Sequence, residues 1–103
     1  MTEKLVRDLI PEIMRQAGNI PSFRVLPKAE RLQWLLAKLF EEAEELRERP
    51  SIDECADVLE VLVAITAELG YDESSLRAAA IAKACARGRF SAGYVLRIDG
   101  EPT

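Results

Sequence analysis

The sequence predicts one mainly α-helical domain, an antiparallel helical bundle that carries a minor pair of strands. Three observations predict this class. The chain has only 103 residues, enough for one hydrophobic core. Apolar residues recur at three- and four-residue spacing in several stretches, and glycine or proline separates those stretches. We therefore expect a single domain over residues 1–103.

Four helices are expected, in chain order. The first is short, over residues 10–17, with Pro11 in its first turn and Gly18 after its end. The second covers about residues 28–47, where one face is apolar. After Pro50, Ser51 and Glu54 fit a capping box that opens a third helix over residues 51–69. A connection this short makes the second and third helices an antiparallel hairpin.

The fourth helix is expected over residues 73–87, with Asp72 as its N-cap and Gly88 after its end. Two further segments are rich in β-branched and aromatic residues. They lie at about residues 22–26 and 93–98, and we expect them to pair as the minor strands.

Composition excludes several functions. The chain has no His, so neither a Ser-His-Asp triad nor a His-ligated zinc site is available. A net charge of -4 argues against a nucleic-acid partner. The N-terminus shows no apolar signal-peptide region, and no apolar run approaches the length of a membrane span. We expect a cytoplasmic protein without a membrane partner, in which Cys55 and Cys85 are small buried thiols.

The polar face of the second helix is unusually acidic. At helical spacing, one stripe gathers three carboxylates and few opposite charges; its members are Arg31, Trp34, Lys38, Glu41, Glu42 and Glu45. Like charges four residues apart repel, and one lysine cannot neutralise three acids. A solvated acidic face is the simpler explanation of such a stripe.

The third helix carries two acids that match this stripe. In a tight antiparallel hairpin centred near Pro50, Glu45 lies at the height of Glu54, and Glu42 lies at the height of Asp57. Four carboxylates at one place repel unless a divalent cation lies between them, and oxygen ligands suit Mg²⁺ or Mn²⁺. The alternative interpretation is that Glu54 serves only its helix cap. Spacing leaves both interpretations open.

These segments read FEEAEEL at 40–46 and ECADVLEVL at 54–62, and they resemble the E-E-x-x-E and E-x-x-D motifs of the MazG-like, all-alpha nucleoside triphosphate pyrophosphohydrolases. KLVRDLIP at 4–11, Lys83, RGRF at 87–90 and YVL at 94–96 are similar to the small, single-domain phosphoribosyl-ATP pyrophosphohydrolase-like branch. The resemblance covers nearly the whole chain. One departure is the short separation of Glu45 and Glu54, which bears on the shape of the substrate pocket.

The resemblance implies a helical bundle of the MazG type and an Mg²⁺-dependent enzyme. It would hydrolyse nucleoside triphosphates to a monophosphate and pyrophosphate, with a house-cleaning role on modified or non-standard nucleotides. The metal ligands would be Glu42, Glu45, Glu54 and Asp57. Glu41 and Glu45 would position the water.

Substrate contacts are expected from Lys38, Lys83, Arg87 and Trp34. Lys83 and Arg87 lie one turn apart, and the alternative interpretation is an ordinary pair of basic residues at a helix end. For Trp34 the alternative is packing against the short first helix. The third helix is apolar around much of its circumference, so a homodimer or higher homo-oligomer is expected. The alternative function is a non-catalytic helical dimerisation or regulatory module.

Overall fold

The computed structural model describes residues 2–97 and shows a mainly helical chain. Helix α1 spans Ile10–Gln16, and a 3-10 turn at Lys28–Glu30 leads into α2, Arg31–Glu48. Helix α3 spans Ile52–Glu68 and α4 spans Glu73–Arg87. The four predicted helices are confirmed, with ends that shift by a few residues.

Side-chain caps explain where α3 and α4 begin. The Ser51 hydroxyl accepts a hydrogen bond from the backbone N–H of Glu54 at 3.1 Å. Asp72 accepts one from the backbone N–H of Ser75 at 2.9 Å. Both residues have extended backbone and satisfy amide donors that the first helical turn leaves unpaired. The two predicted N-caps are confirmed.

The α2–α3 hairpin is the main packed unit. Only residues 49–51 connect the two helices, and α2 packs along the length of α3. Gly70, with a φ of 92°, turns the chain from α3 to α4, a conformation that favours glycine. Helix α4 packs on α3 more lightly. Among the described residues the buried apolar side chains are Val61 and Ile65, both on α3.

The predicted strand pair is wrong for the described residues. Neither 22–26 nor 93–97 forms a strand, and residue 98 lies outside the described residues. Pro21 and Pro27 flank the first segment and have no backbone N–H to donate. Residues Tyr94, Val95 and Leu96 are almost fully exposed. High β-propensity does not form a strand without a packed partner.

A single chain leaves much apolar surface in solvent. Its radius of gyration is 18.2 Å and its extents are 61 × 31 × 26 Å, whereas a compact chain of this length has about 13 Å. The prediction that Cys55 and Cys85 are buried is also wrong, because both thiols are free and exposed. Cys55 lies on α3 and Cys85 on α4, two helices that pack on each other only lightly. Among residues 2–97, none of the helices combines the length and the hydropathy that a bilayer span requires.

Candidate metal centre

Three carboxylates meet at the side of the α2–α3 hairpin. Glu42 comes from α2, while Glu54 and Asp57 come from successive turns of α3. One oxygen from each lies within 4.8 Å of the others. The short connection at residues 49–51 fixes the heights of the two helices, and this brings the three side chains together.

Burial makes this cluster different from a solvated acidic face. Glu42 is only 7% exposed. Its Oε2 atom and Oε2 of Glu54 are shielded from solvent, and within residues 2–97 neither has a hydrogen-bond partner. A buried oxygen without a partner is costly, and a carboxylate oxygen more so. Burial, reinforced by the neighbouring Glu45, raises the pKa of the Glu42 carboxyl, while Lys38 opposes the rise.

This donor set fits a hard divalent cation. The ligands are carboxylate oxygens alone, which suits Mg²⁺, Mn²⁺ or Ca²⁺ better than zinc. Oε2 of Glu42 and Oε2 of Glu54, which have no hydrogen-bond partner within residues 2–97, are available to bind a cation. Within residues 2–97, Glu42, Glu54 and Asp57 are therefore the group that could hold a cation.

Glu45 stands apart from the other three predicted ligands. It is exposed on α2 and is not a member of the three-carboxylate group, although it lies close enough to Glu42 to influence its charge. The alignment of heights therefore brings together three of the four predicted side chains.

Cationic side chains surround the cluster. Lys38, whose side chain is 16% exposed, lies 3.3 Å from Oε1 of Glu41 and 3.4 Å from Oε1 of Glu42. Lys4 lies 3.1 Å from Oε1 of Glu41. Its hydrogen bond is the main cause that lowers the pKa of the Glu41 carboxyl, and burial opposes it. Arg7 donates to Oδ1 of Asp57 at 2.8 Å.

Lys4 and Arg7 are the site residues that the sequence reasoning missed. Both lie in the segment before α1, which has no regular structure. The available signal was the excess of acids over bases along α2, since such an excess requires cations from elsewhere in the chain. Periodicity could not identify them, because residues 2–9 have no helical register to project.

A mainly apolar cleft of about 520 Å³ adjoins the carboxylates. It lies between the N-terminal segment, α1, α2 and α3, and its volume suits a small organic molecule. The charged residues at its wall include Arg7, Lys38, Glu42 and Asp57. Its apolar wall comes chiefly from Leu5, Leu9, Ile10, Ile13, Leu35 and Val61.

The remaining predicted substrate residues, Trp34, Lys83 and Arg87, do not line this cleft. Trp34 lines a small recess with Glu3, Lys4 and Leu5, and the Arg24 guanidinium lies 5.9 Å from the centre of its ring. Lys83 and Arg87 are exposed on α4, and neither contributes to the cleft as formed by the described residues.

In comparisons with known proteins, no family model, no curated protein and no solved structure matches this chain.

Proposed function

We propose that this protein is an Mg²⁺-dependent nucleoside triphosphate pyrophosphohydrolase that releases a nucleoside monophosphate and pyrophosphate. The observation that carries the proposal is the partly buried carboxylate cluster with two unpartnered oxygens beside an apolar cleft. The nature of the substrate and the choice of bond come from the sequence resemblance. A house-cleaning role on modified or non-standard nucleotides is part of the same proposal.

Each element of the site has a separate task. Glu42, Glu54 and Asp57 would hold the metal, with Glu45 as the fourth ligand that the sequence resemblance implies. Mg²⁺ bound there would polarise phosphate oxygens and offset their charge. The apolar cleft receives the base. Lys38, which lines the cleft, balances phosphate charge. The sequence resemblance adds Lys83, Arg87 and Trp34 as substrate contacts, although none of the three lines the cleft.

Following the sequence resemblance, Glu41 orients and deprotonates the attacking water. Lys4 and Lys38 hold its carboxylate in place and keep it ionised, although the lowered pKa makes it a weaker base than a free glutamate. The water oxygen bonds to the α-phosphorus, the bond from that phosphorus to the α–β bridging oxygen breaks, and pyrophosphate leaves. The water proton passes to Glu41 or Glu45. Because water attacks directly, no covalent enzyme intermediate forms.

A second copy of the chain is the proposed cover for the exposed apolar surface. Leu59, Leu62 and Leu69 lie along one side of α3 and are 43%, 36% and 58% exposed. Ile81 of α4 is 57% exposed. An identical helix pair can cover such a stripe by two-fold symmetry. We therefore propose a homodimer, as the sequence resemblance also implies.

The test is a panel of nucleoside triphosphates incubated with Mg²⁺ in ¹⁸O-labelled water, with products identified by mass spectrometry. Label in the monophosphate and unlabelled pyrophosphate are expected. Asp57→Asn is expected to lose turnover, whereas Asp53→Asn, exposed one turn earlier on α3, is its matched control. Release of single phosphate groups, or label in pyrophosphate, would contradict the mechanism.

The second candidate is a non-catalytic helical dimerisation or regulatory module. The exposed stripe on α3 favours it, because that surface needs a partner whether or not the protein is an enzyme. A stable dimer without turnover of any nucleotide would support this alternative and contradict the enzyme.

A further inference from the structure

Three cations partly offset the negative charge around the carboxylate cluster. The acids are Glu41, Glu42, Glu45, Glu54 and Asp57, and the cations are Lys4, Arg7 and Lys38. Two of these cations come from the segment before α1. This segment therefore occupies, at least in part, the electrostatic position that a divalent cation would take.

Arg7 is the cation that meets a candidate ligand most directly. Its Nη2 atom lies 2.8 Å from Oδ1 of Asp57, and both side chains are partly exposed, at 58% and 38%. A guanidinium stays charged at any ordinary pH. A divalent cation bound by Glu42, Glu54 and Asp57 would repel Arg7 and compete with it for the same carboxylate. Binding of the cation and pairing of Arg7 with Asp57 therefore weaken each other.

The backbone around Arg7 is fixed, so the exchange needs only a side-chain movement. The Arg7 carbonyl accepts a hydrogen bond from the N–H of Ile10 at 3.1 Å, at the start of α1. Further back, Glu3 accepts two bonds from Arg24, at 2.7 and 2.9 Å. These anchors hold the segment in place when the Arg7 side chain leaves Asp57.

Arg7 also lines the cleft, together with Lys38. An arginine displaced from Asp57 thus faces the space that a ligand beside the metal would occupy. Guanidinium groups bind phosphate oxygens in a bidentate manner and with charge assistance. A polyphosphate brought in with the cation supplies an anion for Arg7 at the moment its carboxylate is taken.

We propose that Arg7 is an ion-pair switch: it pairs with Asp57 while the carboxylates hold no cation, and turns to a phosphate group of the ligand once they do. This inference rests on the metal site of the proposed function. It makes Arg7 a ligand-binding residue that weakens binding of the metal alone and strengthens binding of the metal–polyphosphate complex. The site thereby favours metal and ligand together over metal alone.

The experiment measures Mn²⁺ binding by electron paramagnetic resonance, first with Mn²⁺ alone and then with Mn²⁺ and inorganic tripolyphosphate. Arg7→Gln is expected to bind Mn²⁺ alone about fivefold more tightly, because a competing surface ion pair is lost. The same variant is expected to bind the tripolyphosphate complex about tenfold more weakly, because a charge-assisted contact is lost. In both assays the affinity of Arg7→Lys is expected to lie between those of wild type and Arg7→Gln.

Arg24→Gln is the matched control, since it removes one arginine that anchors the same segment through Glu3. It is expected to leave Mn²⁺ binding unchanged. Equal or weaker Mn²⁺ binding by Arg7→Gln, or the same opposed changes in Arg24→Gln, would overturn the switch while the metal site stands. If wild type and Asp57→Asn bind Mn²⁺ equally, the metal site itself is wrong, and the proposed function fails with the switch.

Discussion

The two sides of α3 differ in how far one chain completes them. Toward α2, Glu54 and Asp57 meet Glu42, and cations from two parts of the chain, the segment before α1 and α2 itself, surround the group. Away from α2, the apolar stripe on α3 lies in solvent with only α4 lightly packed beside it. One chain supplies all the groups of the polar cluster, whereas it leaves the apolar stripe of α3 exposed.

The largest effect is expected at the exposed apolar stripe of α3. Leu62→Lys places a charge in the centre of the proposed dimer surface, which costs far more than the loss of one apolar contact. The dimer dissociation constant is expected to rise by about 100-fold or more, measured by sedimentation or light scattering across protein concentration. Ile20→Lys is the control, since Ile20 is 97% exposed and lies outside the stripe. A wild-type monomer at micromolar concentration would refute the dimer.

The next effect belongs to the completed side. Glu42→Gln removes the most buried carboxylate of the cluster and its repulsion from Glu45. Metal-free stability is expected to hold or rise by about 1 kcal/mol. Mg²⁺ at 100 times its dissociation constant stabilises a binding protein by about 2.7 kcal/mol, and this gain is expected to vanish in the variant. Melting curves with and without Mg²⁺ measure both changes.

Glu44→Gln, exposed on the same helix, is the control for this experiment. It is expected to keep the full Mg²⁺ effect, because its side chain is not part of the carboxylate group. Equal Mg²⁺ shifts in Glu42→Gln and wild type would contradict the metal site.

A smaller effect is expected at the connection between α2 and α3, which sets the relative heights of the carboxylates. Ser51→Ala removes the hydrogen bond to the Glu54 amide and is expected to cost about 1 kcal/mol. For a chain of this size the melting temperature falls by roughly 4–8 °C. Ser51→Asp restores an acceptor and is expected to recover most of the loss. If Ser51→Ala melts with wild type, the cap does not stabilise α3.

The comparison also explains what the sequence could predict. Helix positions, the N-caps and the meeting of Glu42 with Asp57 follow from local rules: a 3.6-residue repeat, side-chain acceptors and a short connection. Arg7 and Lys4 could not be placed by these rules, because they reach the site from a segment without regular structure. The strand pair failed because β-propensity cannot say whether a partner strand is near.

The smallest effect concerns pH and the start of α4, the helix that belongs to the incomplete side. The Ser75 amide, followed by the Ser75 and Ser74 hydroxyls, donates to Asp72 and lowers the pKa of its carboxyl. The folded state therefore binds fewer protons there than the unfolded state. The stabilisation is complete above the ordinary aspartate pKa of about 3.9 and is lost as the pH falls through the lower folded pKa.

Asp72→Ala is thus expected to have a lower melting temperature than wild type at neutral pH, and the difference is expected to narrow in acid. Asp72→Asn still caps the helix but does not titrate, so its advantage over Asp72→Ala is expected to stay constant with pH. Melting curves of the three proteins from pH 7 to below 3 make the measurement. A gap between wild type and Asp72→Ala that does not change over this range would show that the ionised carboxylate does not stabilise α4.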